Sequence, residues 1–139
     1  SKGEVFFRYN QIGKGVWHRD SLLTYTMDSI SLNPLLRYNL SIELTTADKY
    51  PYKDIWLKVE HNLNDSIFSI DTIHSMLADD YGRWLGSGAA GLHQISIPYK
   101  STVALDTSMI YELQISHLMS NNPLPGVEKV GLKVVEYSN

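Results

Sequence analysis

Apolar and polar residues alternate with a period of two over much of this chain. Tyr38, Leu40, Ile42 and Leu44 fall on one face of the run from Arg37 to Thr45, while Asn39, Ser41 and Glu43 fall on the other. That is the pattern of a strand with one buried side. Ile55, Leu57, Val59 and His61 alternate with Trp56, Lys58 and Glu60 in the next run. Leu113 with Ile115, and Val130 with Leu132 and Val134, continue the phase, and weaker strands read at Val5 to Tyr9, Leu22 to Asp28, Ser66 to Met76 and Leu92 to Tyr99. Thr72, Ile73, Met76 and Leu77 also fit a helical turn, but the β-branched residues leading into them favour strand.

Turn chemistry separates these runs. It stands at Ile12-Gly13-Lys14-Gly15, Asn33-Pro34, Tyr50-Pro51, Asp80-Tyr81-Gly82 and Asn121-Asn122-Pro123, and Asn62-Leu63-Asn64-Asp65 reads as a hairpin connection. About eight short strands at this spacing predict an antiparallel β-sandwich of jelly-roll or immunoglobulin-like type. The inward phase assigns Tyr38, Leu40, Ile42, Leu44, Leu57, Val59, Leu113, Ile115, Leu132 and Val134 to one core. Neither a linker nor an internal repeat interrupts the chain, so residues 1–139 read as a single domain.

The 139 residues carry 43% hydrophobic and 19% charged side chains, enough apolar surface to offset the entropy of ordering. A net charge of -3 provides no global basic field, which argues against nucleic acid as a partner. The absence of cysteine removes disulfides, thiolate metal sites and cysteine nucleophiles. No apolar run approaches the ~20 residues of a membrane-spanning helix.

The residues that carry chemistry do not form an enzyme signature. The five histidines lie in different segments at no ligand spacing and read as surface or edge residues, so no metal and no cofactor are expected. Asp79-Asp80 resembles a carboxylate pair, but neighbours on a strand point to opposite faces and cannot straddle a glycosidic bond. The pair reads as a turn opener that bonds local backbone N–H groups, with Gly82 in a tight turn at positive φ. Gly86-Ser87-Gly88 lacks both a nucleophile elbow and a phosphate-binding lysine, and reads as a hairpin or a close backbone approach.

The aromatics are more informative. Trp17 and Trp84 stand beside turns, as end plugs of a sandwich would. Trp56 opposes Ile55, Leu57 and Val59: it is exposed if that face is solvated, and core if both faces are covered.

Trp17-His18-Arg19-Asp20-Ser21, Arg37-Tyr38-Asn39-Leu40, Tyr50-Pro51-Tyr52-Lys53-Asp54-Ile55-Trp56-Leu57, Gly82-Arg83-Trp84-Leu85-Gly86-Ser87-Gly88, Ile115-Ser116-His117-Leu118-Met119 and Gly126-Val127-Glu128-Lys129-Val130-Gly131-Leu132 follow one another in a fixed order. In this order and spacing the chain resembles the GldH-type gliding-motility lipoproteins of the Bacteroidetes, from about Phe6 to Glu136. The resemblance implies an exported protein, acylated on an N-terminal cysteine that this sequence lacks and held at the cell envelope beside the motility machinery. It carries over no catalytic residues.

The leading expectation is a non-enzymatic, lipid-anchored envelope protein acting through contact with other envelope proteins. Tyr81, Arg83 and Trp84, with Trp17 and Arg19, form the candidate interaction patch, because aromatics and arginine dominate binding hot spots. The alternative is a carbohydrate-binding module with Tyr50, Tyr52 and Trp56 as a glycan platform of coplanar exposed rings. A hydrolase ranks third and needs two facing carboxylates in a cleft.

Overall fold

The computed structural model describes residues 3–28, 31–64 and 67–138 and contains eleven strands. In chain order they are β1 (Glu4–Gln11), β2 (Val16–Trp17), β3 (Leu23–Met27), β4 (Tyr38–Ala47), β5 (Asp54–His61), β6 (Ser69–Met76), β7 (Ser87–Ala89), β8 (Leu92–Val103), β9 (Tyr111–His117), β10 (Leu124–Pro125) and β11 (Val127–Glu136). One antiparallel sheet runs β1-β11-β4-β8-β7, and a second runs β3-β9-β5-β6. The two-residue strands β2 and β10 pair separately. The strand reading of Thr72 and Ile73 holds, and the tally exceeds eight because β2, β7 and β10 are too short to leave a periodic trace.

The sheets pack face to face through the predicted phase. Tyr38, Leu40, Ile42 and Leu44 of β4 are buried with Leu57 and Val59 of β5, Leu113 and Ile115 of β9, and Leu132 and Val134 of β11. The sequence alternates because each of these strands has one covered face.

Hydrogen bonds join the sheets along both sides. On one, the Tyr25 hydroxyl of β3 donates to the Val130 carbonyl of β11 at 2.5 Å. On the other, Asp71 of β6 accepts from the Tyr99 hydroxyl at 2.6 Å, from His61 Nε2 at 2.9 Å and from Lys100 Nζ at 3.1 Å. Burial alone would raise the Asp71 carboxyl; the Tyr99 and Lys100 donors outweigh it and hold the pKa below its usual value. Burial and then Asp71 push the Tyr99 hydroxyl far up, so both groups keep the protonation this seam requires.

Two histidines correct the expectation of surface or edge positions: His61 and His117 are buried. Each ends a strand, and each accepts on Nδ1 the N–H of the residue two positions on, Leu63 at 3.1 Å and Met119 at 3.2 Å. Nε2 of His61 donates to Asp71, and Nε2 of His117 donates to the Trp17 carbonyl at 2.9 Å. With both ring nitrogens satisfied, a neutral imidazole is tolerated in the core. At His117, burial first and the Arg19 charge after it hold the pKa below the ordinary imidazole value.

Strand direction divides the molecule into two poles. Glu4 pairs with Val135, Glu136 with Tyr38 and Tyr38 with Val103 at one end of the first sheet. Met27 with Tyr111, and His61 with Ser69 and Leu113, mark the same end of the second. This terminal pole carries the start of β1, the end of β11 and the β3–β4, β5–β6 and β8–β9 connections. The opposite pole carries the β1–β3, β4–β5, β6–β7 and β9–β11 connections, and here all the candidate interaction residues collect.

Candidate interaction surface

At this opposite pole, Trp17 is 1% exposed. Its backbone pairs with Leu124, its indole N–H donates to the Ser21 carbonyl at 3.1 Å, and its ring meets His117 edge-on at 5.3 Å. It is the plug its sequence context implies and offers no ring to a partner. Arg19 is half-buried: its backbone N–H donates to Asn122 Oδ1 at 2.8 Å and its guanidinium to the Met119 carbonyl. Both residues brace the β9–β10 connection from below.

The segment 79–85 forms the exposed counterpart. Asp79 Oδ1 accepts the N–H groups of Tyr81 and Arg83, both at 2.9 Å, and Oδ2 accepts from Arg83 Nε at 2.9 Å. The backbone closes the same loop, Asp79 N–H to the Arg83 carbonyl at 2.8 Å and Gly82 N–H to the Asp79 carbonyl at 3.0 Å. Gly82 has φ +80°, the conformation its place in the turn predicts. The backbone N–H of Arg83 and then that of Tyr81 hold the Asp79 carboxyl below its usual pKa, so the turn is braced by an ionised side chain. Tyr81 is 85% exposed, and the Arg83 guanidinium stands 5.4 Å from its ring centre. The two therefore project together from a loop that is already ordered.

Trp84 departs from full burial. It packs half-buried against the core and stacks on His93 at 4.4 Å and 17°, and His93 Nε2 bonds Asp48 at 2.6 Å. A second unit has the same composition: Trp56, 42% exposed, stacks on His74 at 4.3 Å and 21°, and His74 bonds Asp54 at 2.7 Å. Asp48 and Asp54 bracket the β4–β5 connection, so each end of that loop is tied to an indole–imidazole stack. Pairing of residues from β5 with β6 and from the β7 region with β8 creates these units, and nothing in local sequence announces them.

The three rings of the glycan platform are not coplanar and exposed. Tyr50 is 4% exposed, its hydroxyl donates to the Asp54 carbonyl at 2.6 Å, and burial pushes its pKa up. Its ring meets Tyr52 at 69°, and the Tyr52 hydroxyl is taken by Asn121. The cause lies in Gly126, whose missing Cβ lets the Tyr50 backbone approach; a Cβ there would stand 2.5 Å from Tyr50 N and Cα. Of that set only Trp56 presents a ring to solvent to a substantial degree.

Elsewhere, a groove on the outer face of the first sheet is lined by Asn39, Ser41, Ser96, Pro98 and Lys133. Ser96 and Lys133 both turn to Glu43, so its polar groups are largely answered within the protein. Among the described residues no group of three or more His, Asp or Glu is placed to hold a metal ion.

The fold and this surface define a class: an all-β sandwich whose distinguishing surface is a braced, charged and aromatic loop pole. The chain belongs to the GldH lipoprotein family, whose profile matches residues 4–134. It is 27% identical to the gliding motility lipoprotein GldH homolog of Christiangramia forsetii strain KT0803, covering 99% of this chain and 87% of that one. It is likewise 27% identical to the gliding motility lipoprotein GldH of Flavobacterium johnsoniae strain UW101, covering 91% of this chain and 77% of that one. Among solved structures, infectious bursal disease virus Gx strain aligns with 99% of this chain and 32% of its own, at 14% identity and a TM-score of 0.31. Family membership makes this an exported lipoprotein of the cell envelope.

Proposed function

We propose that this protein is a non-enzymatic accessory or scaffold component of gliding-motility or related envelope machinery, held by an N-terminal lipid and docking an envelope protein through the loop pole. The observation that carries this reading is the 79–83 turn: Tyr81 and Arg83 project from a loop already fixed by Asp79, so docking orders little new chain. A tyrosine–arginine pair over a preformed turn is the chemistry of an interface hot spot. Trp17 and Arg19 lie at the same pole but are bonded to the β9–β10 region, not to the 79–83 turn. The test is crosslinking and co-purification of the full-length acylated protein from its own envelope, beside Arg83→Ala. A specific protein partner lost in the variant supports the reading, and identical recovery from both refutes the assigned surface.

A second reading, a glycan contact, keeps one observation in its favour. Trp56 is an exposed indole with Lys58 and Glu60 following on the same face of β5, a surface on which a sugar ring can stack. Glycan-array binding abolished by Trp56→Ala would favour it.

A further inference from the structure

The terminal pole is built as well, and with different residues. Two of its connections share one device. Asn33 Oδ1 accepts the Leu35 N–H at 2.9 Å, and the Asn33 N–H donates to the Tyr38 hydroxyl at 2.8 Å. Asp106 Oδ1 accepts the Ser108 N–H at 2.9 Å, and the Asp106 N–H donates to the Tyr111 hydroxyl at 2.8 Å. In each case the tyrosine begins the next strand, so the loop is tied to a buried ring of the core. What these braced loops present is aliphatic: Leu35 is 86% exposed and Ile110 62%. Phe68, on the β5–β6 connection of the same pole, is 45% exposed.

Large apolar side chains gathered at one pole form a surface that an apolar environment would bury. The charge pattern narrows it. The described residues of these three connections include no lysine, and their charges are Asp28, Arg37 and Asp106. Arg37 is thus the one cation among them, so burial of apolar area rather than attraction to an anionic surface is the driving force they offer. The topology adds the location, because β1 enters the sandwich at this pole and any N-terminal attachment joins here.

We propose that the terminal pole is a membrane-facing surface: Leu35, Phe68 and Ile110 enter the interfacial region of the lipid bilayer to which the N-terminus is attached, fixing the domain upright with its loop pole away from the membrane. The inference rests on the lipid-anchored reading above, and goes beyond it by assigning the orientation and the residues that set it.

The test tethers the chain through an N-terminal hexahistidine to phosphatidylcholine vesicles carrying a nickel-chelating lipid. The sequence has no cysteine, so Leu35→Cys, Ile110→Cys and Tyr81→Cys each accept a single environment-sensitive fluorophore. Doxyl-labelled lipid is expected to quench labels at 35 and 110 several-fold more than the label at 81, with little dependence on salt. Phe68→Ser in the Ile110→Cys background is expected to weaken that quenching while leaving the Tm unchanged. Equal quenching at all three positions overturns the proposal. So does a change at 35 and 110 that appears only when envelope protein is added, since it assigns the pole to a protein partner. Flotation of the full-length acylated protein separately reads the lipid anchor, so the two failures are distinguishable.

Discussion

The two poles are made by the same strands and solve different problems. The loop pole carries Lys14, Arg19, Asp48, Lys53, Asp79 and Arg83; Asp79 answers Arg83 and Asp48 answers His93, while the Arg19 guanidinium is taken by the Met119 carbonyl and its backbone N–H by Asn122. Its aromatic rings Trp17 and Tyr50 are turned inward. The terminal pole spends its polar groups on bracing, Asn33 on Tyr38 and Asp106 on Tyr111, and turns aliphatic side chains outward. One end thus displays a tyrosine–arginine pair over a braced turn, beside partly exposed Leu22, Leu85 and Leu118; the other displays Leu35 and Ile110, exposed further, on loops braced by asparagine and aspartate. In the proposed orientation, each end's display matches what that end faces.

Mutations separate the poles most sharply where a plug is removed. Trp17→Ala empties a fully buried site that links β2, β10 and His117, and a loss of about 3–5 kcal/mol is expected in chemical denaturation. A loss below 1 kcal/mol would mean that the loop pole collapses around the gap and is not rigidly built.

His117→Leu comes next, with about 1–3 kcal/mol expected because the Trp17 carbonyl and the Met119 N–H lose their partner. This change also tests the titration. The folded-state pKa of His117 is depressed, so the unfolded chain takes up the proton first. The stability it contributes is present above the unfolded value of about 6.5 and is lost as pH falls below it. A Tm that declines between pH 7 and 5 in the native protein should decline less in His117→Leu.

Trp84→Ala should cost about 1–2 kcal/mol, less than Trp17, since the ring is half-buried and rests on His93. Smallest are Arg83→Ala and Leu35→Ser, one from each pole, each within about 0.5 kcal/mol of the native protein. Their effects should appear in binding instead: Arg83→Ala releases a protein partner, whereas Leu35→Ser retains the partner and loosens the domain on the membrane. Loss of the partner in both would erase the distinction between the poles.

The core was legible because a two-residue period is a direct image of a strand with one covered face, and β4 displays it from Tyr38 to Leu44. The turn at Gly82 was legible for a similar reason: Asp79 acts on residues two and four positions away, within the reach of local chemistry. His61 already stood in the inward phase of β5, and its donor Leu63 is local, yet its acceptor Asp71 reaches it only once β5 and β6 pair. The burial of Tyr50 was not legible, because it depends on Gly126, far along the chain. The poles themselves were invisible in sequence. Leu35, Phe68 and Ile110 lie in three separate connections, and only the antiparallel register brings them to one end.

The orientation of the molecule is tested most directly by photo-crosslinking in the native envelope. A diazirine amino acid replaces Tyr81 in one full-length acylated protein and Ile110 in another, and the adducts are identified by mass. The account predicts protein adducts from position 81 and phospholipid adducts from position 110. Phospholipid at 81 with protein at 110 would contradict it.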